Sequence, residues 1–181
     1  MTIPNMLSLF RIFLIPVFLI IYLTQDNQPY FIISALILLL SGITDVLDGY
    51  IARKFKMTSE LGKVLDPFAD KMTQIAILAA LVIKHPQLFF VVAIYFAKEL
   101  AMLIGGIIII KNKIPMASSK WWGKIGTLLF YAATVVIIAF PNLITEDGIL
   151  IIVAAITVYM LFTLAMYIPM FFKLKNKSKQ L

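Results

Sequence analysis

The chain has 181 residues, of which 62% are hydrophobic and 14% charged, with a formal net charge of +7. A soluble globular domain is typically about 45–50% apolar and about a quarter charged. This composition therefore excludes a disordered chain, a coiled coil and an ordinary cytosolic enzyme, and points to an all-α polytopic membrane protein.

Six apolar segments follow one another, each close to the roughly 20 residues that a helix needs to cross the hydrocarbon. They run Leu7–Thr24, Tyr30–Tyr50, Leu61–Ile83, Leu88–Ile110, Trp122–Phe140 and Ile149–Phe172. The opening stretch, Thr2 to Ser8, reads as a short N-terminal interfacial helix with Asn5 or Ser8 as its cap. It lacks a cationic stretch before an apolar core and a small-residue cleavage site, so no removable signal peptide is expected. The breaks carry turn chemistry: Gln25 to Pro29, Lys84-His85-Pro86, Pro141-Asn142 and Glu146-Asp147-Gly148. Six spans with short loops leave no room for a second soluble domain, so residues 1–181 are read as one membrane domain.

Cysteine is absent, which excludes disulfides, thiolate metal sites and cysteine nucleophiles. The single histidine, His85, cannot build a histidine-rich zinc site.

Basic residues set the expected orientation. Arg11, the group Arg53, Lys54, Lys56 and Lys63, the group Lys111, Lys113, Lys120 and Lys124, and the tail lysines Lys173, Lys175, Lys177 and Lys179 all fall at one set of segment ends. The opposite loops hold only Lys84, while Lys71 and Lys98 lie inside apolar segments. The positive-inside rule then puts both termini and the two basic loops in the cytoplasm. The positive charge needs no nucleic-acid partner to account for it. Trp121 and Trp122 fit an interfacial aromatic belt.

Ionisable groups inside apolar spans are costly, which makes them functional candidates. Asp45 and Asp48 lie near the cytoplasmic end of the second segment, and Asp66 and Asp70 near the start of the third. Spacings of three and four put each pair on one helix face. Measured from a turn near Thr58, the two pairs lie at matching depths. An antiparallel hairpin would therefore bring four carboxylates face to face in two layers. Ion pairing alone would need four buried cations at that depth. Divalent cations bound by oxygen are the cheaper counter-charge, and Mg²⁺, Mn²⁺ or Ca²⁺ suit carboxylates. Two such ions would clamp the attacking and leaving oxygens of a phosphoryl displacement. Gly49, Ala52 and Gly62 allow close approach of a helix or a ligand, and Arg53 can grip phosphate with a planar fork.

The run Asp45-Val-Leu-Asp48-Gly49-Tyr-Ile-Ala52-Arg53, then eight residues, then Gly62-Lys-Val-Leu-Asp66-Pro-Phe-Ala-Asp70 resembles the signature of the CDP-alcohol phosphotransferase family, with all eight defining positions filled. The six-span plan and the Ile3-Pro4-Asn5 start are similar to the bacterial phosphatidylglycerophosphate synthases of that family. The resemblance implies that an alcohol hydroxyl attacks the lipid-side phosphate of CDP-diacylglycerol and that CMP leaves. By position, Asp45, Asp48, Asp66 and Asp70 would hold two Mg²⁺ or Mn²⁺ ions, with Asp70 also the general base. Gly49, Ala52, Arg53 and Gly62 would lie against the CDP moiety. A homodimer in a bacterial-type cell membrane is implied as well.

An acceptor that carries a phosphate requires a cationic pocket. Lys98, Lys111, Lys120 and Lys124 are the candidates, with Lys113 in the same loop. Members that use glycerol 3-phosphate typically carry Arg-Glu where this chain has Lys98-Glu99, and a further arginine near Gly105-Gly106. A cardiolipin synthase of the same type, with phosphatidylglycerol as acceptor, is the alternative within the family. A divalent-cation transporter is the alternative from another class. Transporters usually place such sites near the midplane within inverted repeats, whereas here the acids cluster at one end and no repeat is visible.

Overall fold

The computed structural model describes residues 2–55, 59–111 and 121–178. They form α1 (Ile3–Thr24), α2 (Gln28–Lys54), α3 (Glu60–Lys84), a 3-10 turn (Pro86–Leu88), α4 (Phe89–Lys111), α5 (Trp121–Ala139) and α6 (Glu146–Ser178), with no strand among the described residues.

The helix starts follow local chemistry. Pro4 and Pro29 sit in the first turns of α1 and α2, where a missing N–H is no loss. Ser59 caps α3, its hydroxyl accepting from the Gly62 N–H at 2.9 Å. The opening segment differs from expectation. It is not a separate interfacial helix capped by Asn5 or Ser8. Thr2 takes the N-cap position, and Asn5 and Ser8 lie buried inside a continuous α1.

Five stretches are long and apolar enough to cross a membrane: Ile3–Thr24, Gln28–Ala52, Pro86–Gly105, Trp121–Ala139 and Glu146–Pro169. The third expected span, α3, is not among them, because its first half carries Glu60, Lys63, Asp66, Asp70 and Lys71. Large apolar side chains point outward on the five, among them Phe13, Leu36, Phe90, Leu128 and Ile151. Apolar surface of this extent marks a face that meets hydrocarbon or a partner, and helices satisfy their own backbone there.

The chain divides into two compact units. The first comprises Met1–Pro86 with Tyr131–Glu146. In it α1 packs against both α2 and α3. Its interior holds Leu14, Phe18 and Tyr22 of α1, Leu38 of α2 and Ile77 and Leu81 of α3. Phe18 stacks on Tyr22, and Lys84 sits 4.8 Å from the ring centres of Tyr22 and Phe31 while pairing with Asp26 at 2.6 Å. The second unit comprises Gln87–Phe130 with Asp147–Leu181. Its interior includes Val92, Tyr95, Phe130, Val153 and Met160, with Tyr95 stacked on Phe130. Gly126 admits Met160, whose sulfur would lie 3.0 Å from a Cβ there.

Candidate active site

The first unit assembles the acidic residues around one stripe of α1. Asn5, Ser8 and Arg11 recur every three residues, so they share a face of that helix. All three are buried, Ser8 and Arg11 completely. Arg11 reaches α2 with both ends of its fork. Its Nη1 donates to Asp45 Oδ1 at 2.5 Å and its Nη2 to Asp48 Oδ2 at 2.5 Å. Asp48 is almost wholly enclosed, with its side chain 3% exposed, whereas Asp45 is 38% exposed.

Ser8 makes the connection to α3. Its hydroxyl donates to Asp66 Oδ1 and lies 3.5 Å from Asp48 Oδ2, and it is 3.1 Å from the Pro4 carbonyl one turn back. Acids from two helices thus meet at one small hydroxyl. Asp70, one turn beyond Asp66, has a separate environment. The Tyr131 hydroxyl of α5 donates to it at 3.3 Å, and the Gln74 amide lies 3.3 and 3.5 Å from its two oxygens.

Gly62 fixes how closely α1 and α3 approach. A Cβ at that position would lie 2.6 Å from Asn5 Oδ1 and 3.1 Å from Ser59 Oγ. Asn5 Oδ1 already accepts from the Thr2 and Ser59 hydroxyls, each at 3.0 Å. Only glycine lets the capped start of α3 rest on this buried amide.

Two expectations require correction. Arg11, grouped with the basic residues at one set of segment ends, is a buried cation of α1 rather than an exposed one. The carboxylates do not simply face one another across an α2–α3 hairpin, because Ser8 and Arg11 of α1 join them. One planar guanidinium bridges two acids and balances the charge of one of them, so the ion-pair alternative needs fewer cations than the sequence suggested.

The donor set can be weighed against a divalent ion. Every group is a carboxylate oxygen, the ligand that hard cations take. One guanidinium balances only one of the two carboxylates it holds, and the Ser8 hydroxyl balances none, so further positive charge is favoured here. Among the described residues no three acids or histidines converge as a ligand group. The chemistry and charge fit a divalent cation, and Arg11 now stands as the counter-ion of Asp45 and Asp48.

Gly49 and Ala52 follow Asp48 on α2 and are partly buried, whereas of Arg53 only the backbone is described. Lys98 belongs to the second unit. It is buried, pairs with Glu99 at 2.6 Å, and lies 3.9 Å from the Met160 sulfur and 5.8 Å from the centre of the Tyr95 ring. Lys124 is exposed in the first turn of α5. Of Lys111 only the backbone is described, and Lys113 and Lys120 lie outside the described residues.

The profile of the CDP-alcohol phosphatidyltransferase family matches residues 1–172. The chain belongs to this family. Among its curated relatives is the CDP-diacylglycerol–glycerol-3-phosphate 3-phosphatidyltransferase of Haemophilus influenzae, 38% identical over 131 residues, which are 67% of each chain. The enzyme of the same name from Aquifex aeolicus is 35% identical over 133 residues, 71% of this chain and 70% of that one. A CMP-forming cardiolipin synthase of Streptomyces coelicolor is 32% identical over 154 residues, 82% of this chain and 67% of that one.

For this family member, reasoning from sequence missed Ser8 and Arg11 as partners of the acids, and Tyr131 and Gln74 at Asp70. A signal existed for the first two. Asn5, Ser8 and Arg11 form a polar stripe on an otherwise apolar helix, and polar stripes within spans face protein rather than lipid. Tyr131 carried none, because a lone tyrosine in an apolar segment reads as packing.

Proposed function

We propose that the chain transfers the phosphatidyl group of CDP-diacylglycerol to glycerol 3-phosphate and releases CMP, as a step of phospholipid biosynthesis. The observation that carries this reading is the partly buried assembly of Asp45, Asp48 and Asp66 around the buried Ser8 and Arg11, with Asp70 one turn beyond on α3. The family match and the names of the relatives from Haemophilus and Aquifex support it.

In this reading Asp45, Asp48, Asp66 and Asp70 would hold two Mg²⁺ or Mn²⁺ ions. Bound there, such ions would neutralise charge on the diphosphate and on the departing CMP. The remaining work falls to the chain. Asp70, held by Tyr131 and Gln74, accepts the proton of the acceptor hydroxyl. The freed oxygen attacks the phosphorus of the phosphatidyl group, and the bond to CMP breaks. Gly49, Ala52, Arg53 and Gly62 line the CDP side, with Arg53 gripping phosphate. Positioning and neutralisation are the main demands of phosphoryl transfer, and a site without cysteine or histidine can meet them.

Lys98, Lys111, Lys120 and Lys124 would receive the acceptor's phosphate. We also place α3 across the membrane as the sixth span. It is 25 residues long, its acids are confined to its first half, and Ser8 of α1 satisfies one of them. Both termini and the site then face the cytoplasm of a bacterial-type cell, and the chain works as a homodimer.

A second acceptor has a specific observation in its favour. Glu99 engages the Lys98 ammonium, and the relative from Streptomyces is named a cardiolipin synthase, so phosphatidylglycerol is the competing acceptor. The deciding experiment gives purified protein CDP-diacylglycerol with glycerol 3-phosphate, phosphatidylglycerol, inositol, inositol phosphate or serine, and identifies the lipid product. Phosphatidylglycerophosphate as the main product supports the proposal, and cardiolipin replaces it with the alternative. Metal-ion transport without CMP release would remove both.

A further inference from the structure

Arg11 holds two of the carboxylates that the reading above assigns to divalent cations. Its side chain is completely buried and both Nη groups are committed, one to Asp45 and one to Asp48. Its Nε is also buried, and has no hydrogen-bond partner among the described residues. Buried polar groups are nearly always satisfied. A guanidinium kept only to brace two helices would be expected to use its whole fork, and this one leaves a donor over.

The position of the fork matters more than its strength. It engages Oδ1 of Asp45 and Oδ2 of Asp48, so it occupies the space between the two carboxylates. A divalent ion bound by both acids needs that space. Even if an oxygen could serve both, a guanidinium and a divalent ion a few ångströms apart beside the enclosed Asp48 repel. Ser8, by contrast, is neutral and can stay beside Asp66 in either state.

We propose that Arg11 is an exchangeable counter-ion. With its fork on Asp45 and Asp48 it balances one of their two charges and keeps α1 docked on α2. When divalent cations bind, it is displaced from both. It is thus a positioning residue for the ligand set, and metal binding is coupled to a rearrangement at α1. The proposal rests on the metal reading of the site, and its test separates the two.

Mn²⁺ is titrated into purified, metal-free protein in detergent. The free ion is followed by electron paramagnetic resonance, and the melting temperature is measured with and without Mn²⁺. Arg11→Gln should melt lower than wild type without metal, bind Mn²⁺ several-fold more tightly, and gain more from Mn²⁺ in melting temperature. Arg11→Lys keeps the charge but loses the planar fork, so its affinity should fall between the two, and it carries the comparison should Arg11→Gln not fold. Saturable Mn²⁺ binding that is unchanged or weaker in the variants overturns the exchange and leaves the metal site standing. Absence of saturable binding in wild type, or binding that Asp48→Asn does not alter, overturns the metal reading and the exchange with it.

Discussion

Gly62→Ala isolates the contact that sets the start of α3. The added Cβ would meet Asn5 Oδ1 at 2.6 Å, whereas ordinary contact begins at 3.4 Å. Either Asn5 gives way or α3 moves by roughly 1 Å, a displacement that can cost about 10²-fold in rate when it misplaces reacting groups. Asn5 is buried and accepts two hydrogen bonds, so yielding is not free. Losing the Ser59 cap costs about 0.5–2 kcal/mol and losing one Asn5 bond about 0.5–1.5 kcal/mol, while alanine returns up to about 1 kcal/mol of helix propensity. The expected net loss is about 1–2 kcal/mol, with single-turnover CMP release falling by about ten- to a hundred-fold. The assay combines unfolding midpoints in detergent with single-turnover rates for Gly62→Ala, Asn5→Ala and the double variant. Removing the Asn5 amide removes the obstacle, so the penalty of Gly62→Ala should largely vanish in the Asn5→Ala background, a coupling of about 1 kcal/mol or more. Equal penalties in both backgrounds would show that the cost of a side chain at Gly62 does not arise from Asn5.

Asp70→Asn should lower turnover by about 10²–10⁴-fold, the range for loss of a general base, while metal-dependent CDP-diacylglycerol binding stays within a few-fold. Asp48→Asn should weaken that binding as well as the rate, and equal losses of binding in the two variants would remove Asp70 from the role of base. Tyr131→Phe deletes the hydroxyl that donates to Asp70 at 3.3 Å. A hydrogen bond to a charged group is worth about 1.5–3 kcal/mol, and at this length the lower end applies, so single-turnover rate should fall by about ten-fold with little change in KM. An unchanged rate would show that Gln74 orients Asp70 unaided. Arg53→Lys should raise the KM for CDP-diacylglycerol more than it lowers stability, because lysine supplies one point of charge where arginine supplies a fork. Wild-type kinetics would take Arg53 out of the site.

The helices were legible because apolar runs near membrane length admit one backbone solution. All six expected segments fall within observed helices apart from a residue or two at their ends, as at Phe140 and Leu88. The pairing of acids within α2 and within α3 followed from spacing alone. The place of α1 did not. The polar stripe of Asn5, Ser8 and Arg11 says that these residues face protein, but not that Ser8 and Arg11 turn toward Asp48 and Asp66, some 37 to 58 residues away in sequence. One arginine near a helix start reads as an interface residue until its partners are seen. Tyr131 poses the same difficulty at a separation of 61 residues. Gly62 was read as space for a nucleotide, and the structure sets Asn5 against it. Lys98 was among the acceptor candidates. Its bond to Glu99 shows how an intramembrane charge can be satisfied by its immediate neighbour, a pairing that sequence leaves open.

Release of CMP from CDP-diacylglycerol tests the central claim most directly. Purified protein is stripped of metal, supplied with CDP-diacylglycerol and glycerol 3-phosphate, and assayed before and after addition of Mg²⁺ or Mn²⁺, with Asp48→Asn and Asp70→Asn in parallel. The expected result is CMP and phosphatidylglycerophosphate in equal amounts from wild type with metal, none after chelation, and near-complete loss in both variants. Full activity in excess chelator after verified metal removal, or wild-type rates in Asp48→Asn and Asp70→Asn, would contradict it.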